Sequence, residues 1–105
     1  MEINKVFNEK LEAWVIDIIG ELDIYTSPKF KEILLEALDE KMSNIIINGE
    51  SLSYIDSTGL GALISVLKKV KEYEKTITIK NIKPNIKKLF DLTSLDKVFI
   101  LEGCD

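Results

Sequence analysis

The chain has no histidine and a single cysteine, Cys104, in 105 residues. Serine and cysteine nucleophiles of the usual kind need an imidazole to take the proton, so no Ser-His or Cys-His centre can be assembled. Structural and catalytic zinc sites draw on several cysteine and histidine ligands, so neither a metal centre nor a hydrolase is expected. One cysteine cannot close an intrachain disulfide; beside the C-terminal Asp105 it reads as an exposed thiol, which suits a reducing cytosol. The start, Met1-Glu2-Ile3-Asn4-Lys5, lacks a basic stretch leading into an apolar one, and no apolar run approaches about 18 residues. Neither a signal peptide nor a membrane span is expected, and the compartment read from the sequence is the cytoplasm. An excess of basic charge is missing as well: 14 lysine and arginine residues face 18 acidic ones, for a net charge of −4. Binding to a phosphate backbone works through a basic face, so nucleic acid is not the expected partner, and a protein or small ligand is.

What is present fits one globular domain over residues 1–105, with 46% hydrophobic residues and no repeat, linker or low-complexity tract. A domain of this size buries roughly 60–70% of its unfolded-chain surface, enough for a core without staples. Val6-Phe7 and Ala13 to Ile19 read as two strands of a hairpin turning at Asn8-Glu9-Lys10, with Trp14, Ile16 and Ile18 on one face. Ser27-Pro28 opens a helix, with Ser27 as the cap, and Phe30, Ile33, Leu34, Ala37 and Leu38 form its apolar stripe to about Lys41. Ile45-Ile46-Ile47 is an unalternated run of the kind found in strands covered on both faces. A covered strand at Leu52 to Ile55 leads into a second helix with the stripe Leu60, Leu63, Ile64, Leu67 and Val70. A strand at Thr76 to Lys80, a helix from Pro84 and a terminal strand at Val98-Phe99-Ile100 complete the order. Strands interleaved with helices at this spacing imply an α/β fold, a mixed sheet with an antiparallel edge hairpin, parallel βα units and helices packed on the sheet.

The distinctive segment is Leu52-Ser53-Tyr54-Ile55-Asp56-Ser57-Thr58-Gly59-Leu60-Gly61. Two hydroxyls and two glycines stand where a strand hands over to a helix, whose first amides are unpaired and partly positive, so an anion is accommodated there. Glycines let another backbone approach and leave the hydroxyls unshielded. On composition alone the favoured reading of the same residues is as caps, each contributing about 1 kcal/mol by satisfying an orphan amide, since caps occur at nearly every helix start and functional anion sites are few. A nucleophile elbow needs a glycine two residues before the serine, where Ile55 stands. A phosphate-binding Walker loop needs Gly-Lys-Ser/Thr, which does not follow.

Asp56-Ser57-Thr58-Gly59-Leu60, with Gly20-Glu21-Leu22-Asp23 upstream and Ile86-Lys87-Lys88-Leu89-Phe90 downstream, resembles the STAS domain of bacterial anti-sigma factor antagonists, from about Val6 to Ile100. The resemblance implies that the serine directly after the aspartate, Ser57, is phosphorylated by the anti-sigma factor, itself a serine kinase. It implies partner switching: the unphosphorylated chain binds the kinase and frees a sigma factor, the phosphorylated chain is released, and a metal-dependent serine phosphatase resets it. Asp23, Asp56, Thr58, Gly59 and Leu60 are, by the same resemblance, the partner surface around Ser57. Asp23 is otherwise a turn former, Glu21 a solvated strand-end charge, and Lys68, Lys69 and Lys71 the wet side of a helix. Two other readings stay open: an unmodified STAS scaffold in a signalling or lipid-transport assembly, and a sensor holding a nucleotide or other anion at the helix start. Many family members continue into a further helix after the last strand. This chain stops at Asp105, so one face of the sheet is expected to be less covered, with room for self-association.

Overall fold

A computed structural model describes residues 1–103; the exposed thiol expected at Cys104 lies outside the described residues. Strands β1 (Glu2–Asn8) and β2 (Ala13–Leu22) form the expected antiparallel hairpin. Its tip closes where the Leu11 amide donates to Asn8 Oδ1 at 3.0 Å. Strands β3 (Asn44–Asn48), β5 (Ile77–Lys80) and β6 (Ile100–Glu102) then add in parallel, in the order β1-β2-β3-β5-β6. Strand β4 (Leu52–Ile55) lies off this path and pairs in parallel with the far end of β2, from Gly20 to Leu22, with a register shift between Gly20 and Glu21. Gly20 sits there at φ +111, a backbone angle that only glycine adopts without strain.

Successive parallel strands are added in one direction, so right-handed crossovers carry helices α1 (Ser27–Glu40), α2 (Ser57–Lys71) and α3 (Pro84–Leu92) to the same face of the sheet. Burial follows: Trp14, Ile16, Ile18, Ile45, Ile47, Ile77 and Ile79 are buried beneath the helices. Val15, Ile46 and Thr78, paired across the opposite face, are half-buried. The Ile45-Ile46-Ile47 run is therefore covered on one face rather than on both, because no crossover returns over the other side. Trp14 fixes the hairpin to α1 through its indole N–H, which donates to the Lys41 carbonyl at 2.9 Å.

Three local expectations shift. Ser27 is not the cap of α1 but its first residue, buried, with Thr26 at the cap position. In β4, Leu52 and Ile55 are buried while Ser53 and Tyr54 face solvent, since β4 is an edge strand paired with β2. The terminal strand begins at Ile100 rather than Val98, because a 3-10 turn at Leu95–Lys97 takes up the preceding chain. Phe99 is turned inward by that turn and stacks edge-on against Phe90 at 5.6 Å.

Candidate functional site

The end of β2 and the end of β4 lie side by side, Leu22 opposite Ile55. The Asp56 amide donates across to the Leu22 carbonyl at 3.3 Å, so the start of α2 is tied to the sheet before the helix begins. Asp56 is extended, at φ −113 and ψ −174, and its Oδ1 accepts the Gly59 amide at 2.9 Å. This is an N-cap: the carboxylate satisfies an orphan donor and stands at the positive end of the helix. The capping reading of Asp56 is therefore the observed one.

With Asp56 committed to the cap, Ser57 becomes the first residue of α2 and is exposed, as is Thr58. Behind them the chain is closely packed. A Cβ at Gly59 would overlap the Leu22 carbonyl oxygen and lie 2.8 Å from Ile55 Cγ1. Gly59 and Leu60 are buried, so they form the floor of this surface rather than its face. A Cβ at Gly61 would meet nothing within 4 Å, and no packing demand explains the glycine there.

The loop from β2 to α1 borders the same corner. Asp23 Oδ1 accepts the Tyr25 amide at 2.9 Å, the Thr26 amide at 3.1 Å and the Thr26 hydroxyl at 3.2 Å. The Thr26 hydroxyl in addition lies 2.8 Å from the Glu21 carbonyl oxygen. Loss of water around Asp23 pushes its carboxyl upward, but the backbone hydrogen bonds from Thr26 and Tyr25, the Thr26 hydroxyl and the charged amino terminus outweigh this. The carboxyl is held below its ordinary value of 3.8. The turn-forming role of Asp23 is thus in place, and it sits next to Leu22, on which the Ser57 corner is built.

Sequence reasoning passed over the apolar residues displayed here. Ile24 is 60%, Tyr25 88% and Tyr54 48% exposed. Large side chains left in water, Ile24 and Tyr25 on the loop pinned by Asp23 and Tyr54 on β4, are the kind that anchor protein interfaces, where tyrosine is enriched. The available signal was the pair Ile24-Tyr25 in a turn otherwise made of Asp23, Thr26 and Ser27. Between the starts of α1 and α2 lies an open hollow of about 310 Å³ lined by Lys31, Thr58 and Ser65 among others. No helix among the described residues is long and apolar enough to cross a membrane.

Comparison with known proteins shows the family and the fold. The family model for the STAS domain matches residues 3–103. An anti-sigma-B factor antagonist of Staphylococcus epidermidis is 35% identical over 95 residues, covering 90% of this chain and 88% of that protein. One from Staphylococcus aureus is 32% identical over 106 residues, covering 100% of this chain and 98% of the relative. Among solved structures, the Bacillus cell fate determinant SpoIIAA in its phosphorylated form superposes with a TM-score of 0.74 at 23% identity. That match covers 95% of this chain and 90% of SpoIIAA.

Proposed function

The chain belongs to the STAS domain family and is homologous to anti-sigma factor antagonists, and on that premise we propose that it is itself such an antagonist, switched by phosphorylation of Ser57. Unphosphorylated, it binds an anti-sigma factor that is a serine kinase, and a sigma factor is freed. Phosphorylated, it lets go, and a serine phosphatase returns it to the binding form. It acts in the bacterial cytosol as a ligand and substrate rather than as an enzyme. The observation that supports this reading is the exposed Ser57 at the first position of α2, in a chain similar to an anti-sigma-B factor antagonist over nearly its whole length.

The chemistry of the switch follows from that position. The Ser57 hydroxyl oxygen attacks the γ-phosphorus of ATP held by the kinase, ADP leaves, and the hydroxyl proton passes to a base of the kinase. This chain offers no histidine for that role, and the Asp56 carboxylate is engaged by the Gly59 amide. The new group brings about 1.5–2 negative charges to a surface that already carries Asp23 and Asp56. Inside the domain the positive end of α2 offsets part of that charge, so the fold is kept. Across a docked interface the same charge acts by repulsion, bulk and lost hydration. A coupling of about 1–3 kcal/mol shifts partner affinity roughly 5- to 150-fold without refolding. Ile24, Tyr25 and Tyr54 supply apolar anchors beside the switch.

Incubation with the cognate kinase and ATP should add one phosphoryl group to the peptide holding Ser57, and none to the Ser57→Ala chain. Ser57→Asp should weaken kinase binding at least about fivefold with an unchanged melting temperature. Phosphate on another residue, or a stable complex indifferent to phosphorylation, would overturn the switch and favour an assembly role.

A further inference from the structure

The apolar residues of helix α2 extend past its core face to Ile64, which is half-buried, and Leu67, which is buried. The core face is buried through Leu63, Val66 and Val70. A second stripe, Ile64, Leu67, Lys68 and Lys71, follows the spacing i, i+3, i+4, i+7 and forms one wall of a groove of about 530 Å³. Leu95 and Val98, around the 3-10 turn, form the other wall. The floor is almost wholly apolar, and Val98 is 44% exposed at its edge. The rim is basic: Lys68 and Lys71 are exposed, and neither joins the ion pairs Lys29–Glu32, Lys80–Glu102 or Lys87–Asp91. One carboxylate, Glu72, faces them. The protein as a whole has a net charge of −4, so this is a local reversal of sign placed on an apolar trough.

Lysines in the last turn of a helix are favoured by its dipole, which accounts for the charge but not for the apolar trough beside it, where Ile64 is half-buried and Val98 exposed. From these observations we propose that the groove between α2 and the Leu95–Lys97 turn is a second docking surface. Its occupant is an acidic, amphipathic helix of a protein partner. The groove wall is a helix ridge at the spacing that receives the apolar anchors of another helix. Glutamates flanking those anchors meet Lys68 and Lys71. A fatty chain fits less well, because small-molecule sites enclose most of their ligand and this trough is open along its length. Lys71 lies 14 residues beyond Ser57 on α2, about 20 Å along the helix axis, so the groove can be filled in either state of Ser57. The proposal does not depend on the phosphorylation switch.

The test uses the full chain labelled with ¹⁵N and three probes. The first is a synthetic helix of roughly 18 residues with leucine at i, i+3, i+4, i+7 and glutamate elsewhere. The second is its lysine counterpart, and the third is sodium dodecanoate. The acidic helix should shift the amide signals of Ile64, Leu67, Lys68, Lys71 and Val98 and leave that of Ser57 in place. The double variant Lys68→Glu/Lys71→Glu, altered only at exposed positions, should keep its melting temperature and bind at least about tenfold more weakly. Equal binding of the lysine helix, binding of dodecanoate alone, concentration-dependent shifts without a probe, or no shift with the acidic helix at about millimolar concentration would each overturn it.

Discussion

Gly59 and the Leu22 carbonyl are in contact so close that a Cβ on Gly59 would overlap the carbonyl oxygen. The Asp56 amide reaches the same oxygen at 3.3 Å. One carbonyl of β2 thus sets both where α2 begins and how near it lies to the sheet, and Ser57 is held at the surface between those two contacts.

Gly59→Ala should therefore lower stability by about 1–3 kcal/mol, the range for overpacking a close contact. Gly61→Ala, in open space on the same helix, should raise it by up to about 1 kcal/mol through helix propensity. Urea unfolding followed by the fluorescence of Trp14, the one tryptophan, would check both. Equal effects of the two changes would show that the Leu22 contact is unimportant.

Asp23 organises the loop carrying Ile24 and Tyr25, and its carboxyl is held below 3.8. A group with a depressed folded value stabilises above its unfolded value and loses that contribution as pH falls through the folded one. The wild-type chain should melt higher than Asp23→Ala at neutral pH, and the gap should narrow as pH drops below 3.8. A gap independent of pH down to complete protonation would mean that the charge contributes nothing.

Ser27 Oγ is buried and has no hydrogen-bond partner among the described residues. The Ser27 amide donates to the Asp23 carbonyl at 2.9 Å, a bond alanine retains. Ser27→Ala should leave stability unchanged or raise it by up to about 1–3 kcal/mol, the cost of an unsatisfied buried polar group. A loss in thermal unfolding would reveal a partner for the hydroxyl.

Glu74 occupies the left-handed region at φ 59. Its amide donates to the Lys71 carbonyl at 3.1 Å and the Lys75 amide to the Val70 carbonyl at 3.0 Å. That pair of bonds is a Schellman closure, in which glycine is the favoured residue at the Glu74 position. Glu74→Gly should stabilise the chain by roughly 0.5–2 kcal/mol, as strain at a side-chain-bearing left-handed residue is relieved. A lower denaturation midpoint would contradict this.

The hairpin, the three helices, and the Asp56 to Leu60 corner were legible in the sequence because each rests on neighbours along the chain: alternation, a helical stripe, a cap, a glycine. Legibility failed where distant segments decide. Ile45-Ile46-Ile47 looks the same whether helices cover one face or two, and that choice is made by the handedness of three crossovers. Ser27 resembles a cap as much as Thr26 does, until the Glu21 carbonyl and Asp23 engage the Thr26 hydroxyl. The sequence alone determined the family resemblance, the absence of a histidine and the identity of the candidate hydroxyl at Ser57. Tertiary structure decided that Ser57 is exposed while Gly59 and Leu60 are buried, and it placed Ile24, Tyr25 and Tyr54 at that corner and the basic-rimmed groove further along α2. Exposure is a property of what the rest of the chain leaves uncovered, and no local pattern encodes it.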